Sequence, residues 1–129
     1  MSKILTEISA GELLDKLSIL EIKLSKIKNP ALLQEIKKEY DAINEAKNKS
    51  INSSNEMNVL YMDLKKINEQ LWEIEDKIRL CEKNSDFKDK FIQLARDVYF
   101  TNDERSKTKS KINKILGSNI KEVKQYTEY

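Results

Sequence analysis

The sequence predicts an all-α fold: an antiparallel, coiled-coil-like bundle. Two long helices, about residues 55–84 and 86–116, carry a shorter helical hairpin, about residues 10–28 and 30–48. Three observations point there. Met57, Leu60, Leu64, Ile67, Leu71, Ile74, Ile78 and Cys81 form an unbroken apolar ladder whose steps alternate between three and four residues. That spacing is the a/d seam of a helix facing partner helices. Two Gly and one Pro in 129 residues leave few places for sharp turns, hence few and long elements. Finally, 39% hydrophobic and 36% charged residues suit amphipathic helices, being too apolar for disorder and too charged for a membrane span.

Residues 1–8 form a short lead, with Ile4, Leu5 and Ile8 able to lie on the bundle. Ser9 and Glu12 then make a capping box, in which each side chain satisfies the other's backbone N–H. The helix they open has the stripe Leu13, Leu17, Leu20, Leu24, Ile27, widened by Leu14, Ile19 and Ile22. An apolar arc this wide predicts several neighbours and a central place. Asn29-Pro30 ends it, because Pro disfavours helical geometry in the preceding residue yet suits the first helical position, where Asn29 can cap. The second helix has a narrower face, Leu33, Ile36, Tyr40, Ile43, and is expected on the outside.

Residues 49–54 read as a loop, and Ser53 with Glu56 as the capping box that opens the long central helix, roughly 45 Å at 1.5 Å per residue. Asn84-Ser85-Asp86 is a polar turn into the last helix, and Gly117 its natural stop. That helix has the apolar stops Phe87, Phe91, Leu94 and Val98, then polar ones at Thr101, Arg105 and Thr108, then Ile112 and Ile115. The chain reads as one domain, residues 1–129, with residues 117–129 a tail that lays aromatic rings on the bundle or is partly free of it.

Function classes narrow by what is missing. There is no His, which removes the commonest general base and metal ligand. The single cysteine, Cys81, sits on the seam and reads as a small hydrophobe. No Gly-rich phosphate loop or nucleophile elbow occurs. A net charge of +2 gives no general pull toward nucleic acid or anionic lipid, and the run Arg105, Lys107, Lys109, Lys111, Lys114 lacks interleaved aromatics and reads as a solvated end. Without a basic leader or a run of about 20 apolar residues, the expected location is the cytoplasm, with no membrane insertion.

Three polar clusters exceed what packing requires: Glu12, Asp15, Lys16 and Glu21; Glu73, Glu75, Asp76 and Arg79; and Arg96, Tyr99, Asn102, Asp103 and Arg105. The favoured reading is a buried polar network or ligand site drawn from Glu75, Asp76, Arg79, Arg96, Tyr99, Asn102 and Arg105. Arg105 falls on the seam, where a charge needs a partner; Glu75, Asp76 or a carboxylate of the first helix can supply it. A second reading has Arg79, Arg96 and Arg105 gripping a small anion, since Arg suits fixed phosphates or carboxylates. A third uses Glu12, Asp15, Glu73 and Asp76 as oxygen ligands for a hard cation such as Mg2+, as in the all-helical nucleotide pyrophosphohydrolases. Otherwise no cofactor is expected.

Four segments together carry a resemblance: GELLDKLSILEIK at residues 11–23, LWEIEDKIR at 71–79, FIQLARDVY at 91–99 and NDER at 102–105. They resemble an uncharacterised family of short helical proteins of bacteria and their phages, a domain of unknown function. The resemblance covers most of the chain and departs in the second helix, the loop after it and the tail. Members tend to be encoded near sugar-transfer and surface-polysaccharide genes, which implies an accessory role in glycan assembly by association alone. The expectation is a non-enzymatic bundle that binds a partner protein or a small anion. Self-association as a homodimer is also compatible with the pattern, because two long helices expose more seam than two short ones cover.

Overall fold

A computed structural model describes residues 1–129 as four helices and no strand: α1 (Ala10–Lys26), α2 (Pro30–Ser50), α3 (Asn55–Lys83) and α4 (Asp89–Ile115). The eight-residue ladder lies on α3 as expected. Met57, Leu64, Leu71 and Cys81 are buried and the four between them half-buried.

α1 packs on α2, α3 and α4, whereas α2 packs on α1 alone. The difference follows from the two apolar arcs: α1 buries Leu13, Leu14, Leu17, Leu20 and Ile22, and α2 buries no residue fully. Leu14 and Leu17 join Met57, Leu64 and Ile112 in one core, with Tyr40, Ile43 and Ile51 at its edge.

Each helix end is set by local chemistry. Ser9 Oγ accepts from Glu12 N at 3.1 Å, but Glu12 does not return the bond and turns to α4 instead, so the capping box is half-formed. Asn29 Oδ1 caps α2 through Ala31 N and Leu32 N. At α3 the cap is Ser54, bonded to Met57 N at 3.2 Å, rather than the expected Ser53. α3 ends in a Schellman turn: Asp86 N bonds Cys81 O at 2.8 Å, Ser85 N bonds Glu82 O at 3.1 Å, and Ser85 takes φ +53°. α4 starts at Asp89, later than the sequence suggests, because Asp86 Oδ1 accepts from Lys88 N and holds the chain in a turn. α4 ends in the same motif with Gly117 at φ +62°.

α1 crosses the α3–α4 hairpin obliquely. Glu12 meets Lys109, Asp15 meets both Arg105 and Asn68, and Glu21 meets Lys65. No hydrogen bond or ion pair from α1 reaches nearer the hairpin turn than Asn68 and Arg105. From Asn68 to the end of α3 is about 22 Å at 1.5 Å per residue. This outer part, from about residue 72 to residue 100, is an arm with a seam of its own. Cys81 and Leu94 are buried in it, while Ile74, Ile78, Phe91 and Val98 are half-buried. No helix is long and apolar enough to cross a membrane.

Candidate functional site

The polar residues that packing does not explain gather where α1 crosses α3 and α4. Asp15 is 1% exposed, in a stretch of α1 that also buries Leu13, Leu14 and Leu17. Its carboxylate accepts from Arg105 Nε at 2.9 Å, from a second Arg105 nitrogen, and from Asn68 Nδ2 at 2.9 Å. This two-pronged pairing uses the planar fork of the guanidinium. Asn68 also donates to Ser18 Oγ at 2.8 Å, and Ser18 donates to the Asp15 carbonyl at 2.7 Å. The partner of the seam arginine is thus a carboxylate of α1, and Asn68 and Ser18 complete its shell.

Lys109 forms the second half of the site. Its ammonium bonds Glu12 at 2.8 Å and Glu122 at 3.0 Å and stands 3.7 Å from Asp15. Burial pulls the Lys109 pKa down, but the hydrogen bonds to Glu12 and Glu122 outweigh it and the net shift is upward. The hydrogen bond from Lys109 holds Glu122 below the usual carboxylate range. Arg105 is held above its ordinary value, first by its hydrogen bond to Asp15, against the opposing effect of burial.

The same junction closes the start of α1. The N–H groups of Ala10, Gly11 and Glu12 have no helix carbonyl to reach. Ser118 Oγ, Asn113 Oδ1 and Ser9 Oγ accept from them, at 3.1, 2.6 and 3.1 Å. Gly11 is needed there: a Cβ on it would stand 2.7 Å from the Lys109 carbonyl oxygen and 2.9 Å from Asn113 Oδ1. α1 and α4 approach this closely because no side chain separates them.

Of the residues singled out in the sequence, Arg105, Asp15 and Glu12 are in this cluster. Glu75 and Arg79 pair with each other on the exposed surface of α3. Arg96 lies over the Phe100 ring at 5.8 Å, about 13 Å along α4 from Arg105. Tyr99 belongs to an aromatic group with Phe100 and Tyr129, Asn102 is half-buried beside it, and Asp76 is exposed. Of the sequence-predicted network, then, only Arg105 enters the buried cluster, Glu75 and Arg79 form one surface pair, and Asp76, Arg96, Tyr99 and Asn102 lie outside the cluster.

The metal set does not assemble. Asp15 and Glu12 are engaged with cations, Glu73 and Asp76 are exposed on α3, and no three Asp, Glu or Cys side chains are placed to hold a metal ion. Nor does the cluster have a cation to spare for an anion: Glu12, Asp15 and Glu122 face Arg105, Lys109 and, at 3.7 Å from Glu122, Lys124.

Lys109 also corrects the reading of the basic run as a solvated end, for it is buried while Lys107, Lys111 and Lys114 are exposed. Asn68, Ser18, Asn113 and Glu122 were not legible as site residues. Ser18 alone had a signal, as a small polar residue inside a wide apolar arc. One polar group is left over: the Tyr61 hydroxyl is buried without a partner, beside a Glu21 already paired to Lys65 at 3.0 Å. Burial, then Glu21, push its pKa far above the usual tyrosine value.

A family model described as a family of unknown function (DUF6165) matches residues 4–128. No curated protein and no solved structure gives a significant match.

Proposed function

We propose that this chain, which belongs to the DUF6165 family, is a non-enzymatic protein-binding module that pairs with a second copy of itself through the α3–α4 arm. The observation that carries the reading is the exposure of large apolar side chains on that arm, comparable to that of Val59 and Met62 at the opposite end of α3. Leu80, Phe87 and Ile92 are each more than half exposed, at 53, 51 and 53%. They lie past the last polar contact of α1, where nothing else in the chain covers them. The ionic groups at the α1 crossing, by contrast, pair with one another. Apolar side chains left in water mark an interaction surface where they join into one patch.

Sedimentation equilibrium over a wide concentration range tests this. The wild-type chain is expected to pass from monomer to dimer, and Leu80→Glu with Ile92→Glu to remain monomeric with unchanged helicity. A wild-type chain that stays monomeric throughout, or a charged-arm variant that still pairs, refutes the reading. An accessory role in surface glycan assembly is a narrower form of it, and only the family resemblance speaks for that role.

A further inference from the structure

The four helices are not held equally. α1, α3 and α4 supply every member of the buried core, Leu14, Leu17, Met57, Leu64 and Ile112, and the polar contacts of the crossing join these three helices. α2 contributes to neither. It packs on α1 alone, none of its 21 residues is fully buried, and Tyr40 and Ile43 reach only the edge of the core. A single ion pair, Lys16 with Glu39 at 3.0 Å, ties it to another helix, and both side chains are about half exposed, at 49 and 45%. A pair this open to water adds little.

Both ends of α2 run into extended backbone. Ile27 and Asn29 before it and Ile51 after it have ψ of 136, 122 and 123°, and residues 51–54 have no regular structure. A few dihedral angles at such positions can swing a helix without disturbing its neighbours. Within α2 the polar contacts are local: the Asn29 cap, and the pairs Lys37–Asp41 and Glu45–Lys49 one turn apart. Contacts of this kind hold a detached helix only marginally, so its amides exchange once it lifts. The α1 face beneath it follows from the ion pair: Leu13 and Leu20, both buried, lie one turn to either side of Lys16.

We infer that α2 is a latch. It lifts as one unit on residues 27–29 and 51–54 while α1, α3 and α4 keep their core and ionic cluster, and it bares the leucine stripe Leu13, Leu17, Leu20 and Leu24 of α1. Local opening in cooperative units is set by how little each unit buries and how few ties it makes, and α2 is lowest among the helices on both counts. The latch is separate from pairing through the arm, because α2 packs on neither α3 nor α4.

Hydrogen–deuterium exchange of the wild-type chain, read at single amides by NMR, tests it. Amides from Ile36 to Ala46 are expected to share one opening free energy and, corrected for intrinsic rates, to exchange at least about tenfold faster than those from Leu14 to Ile22 in α1. Glu39→Lys, which sets like charges together on an exposed surface, should speed α2 by a further factor of about two to five and leave α1 unchanged. Protection that climbs from both ends of α2 to the level of α1 at its middle is fraying, and overturns the latch. A Glu39→Lys variant that speeds both helices alike, or neither, overturns it as well.

Discussion

Replacing Arg105 with leucine tests whether the buried cluster is a structural lock. Asp15 would lose both guanidinium bonds and keep Asn68 at 2.9 Å and Lys109 at 3.7 Å. Removing one partner of a buried pair typically costs about 3–5 kcal/mol, because the remaining charge stays desolvated. Two features lower that here: Arg105 keeps 27% of its side chain in solvent, and Lys109 remains to hold part of the charge. The expected loss is therefore about 2–3 kcal/mol. With an unfolding entropy of about 2.1 cal/mol/K per residue, 129 residues convert that loss to a Tm about 7–11 °C lower. Circular dichroism during thermal and urea unfolding, at one fixed protein concentration, reads both quantities. The double variant Asp15→Leu, Arg105→Leu removes the orphaned carboxylate as well, so its loss should fall short of the sum of the singles by about 1–3 kcal/mol. A neutral or stabilised Arg105→Leu, or strictly additive singles, would refute the lock.

The remaining predictions concern the junction and the hairpin turn. Gly11→Ala should destabilise by about 1–3 kcal/mol in urea unfolding despite alanine's better helix propensity, since its methyl meets a backbone oxygen that cannot yield without separating α1 from α4. Ser85→Gly should stabilise by up to about 1 kcal/mol, because a left-handed φ of +53° is strained for serine and free for glycine; an unchanged urea midpoint would count against strain at that turn. The hydrogen bond from Lys109 holds Glu122 below the ordinary carboxylate range in the fold, so its contribution is complete above that range and is lost as pH falls through the depressed folded value. Glu122→Gln should accordingly flatten the acid limb of a stability–pH curve and leave its neutral part parallel to wild type.

The architecture was legible because it depends on spacing, and spacing survives ignorance of the partner. Steps of three and four residues on α3, the broad arc of α1 and the narrow one of α2 each imply who packs on whom before any coordinates are known. Turn chemistry was read less well. Ser53 had Glu56 three residues on as a capping-box partner, yet Ser54, one residue later, is the cap that forms. Asp86 looked like a helix start, but its side chain bonds Lys88 N and delays α4 to Asp89. The buried cluster was half legible. A charge on the seam at Arg105 announces a partner, yet choosing Asp15 over Glu75 or Asp76 requires the crossing angle of α1, which no local pattern encodes. Lys109 was hidden for a further reason: one lysine among several on a helix shows nothing in sequence of the glycine that brings α1 onto it.

The central claim is that the ionic interior is closed and that function lies on the arm. Amide chemical shifts of the wild-type chain, followed through a dilution series, address it directly. Concentration-dependent shifts are expected over the arm, with Asp15, Ser18 and Asn68 unchanged. Shifts that centre on Asp15 and Asn68, or that nowhere depend on concentration, would contradict it.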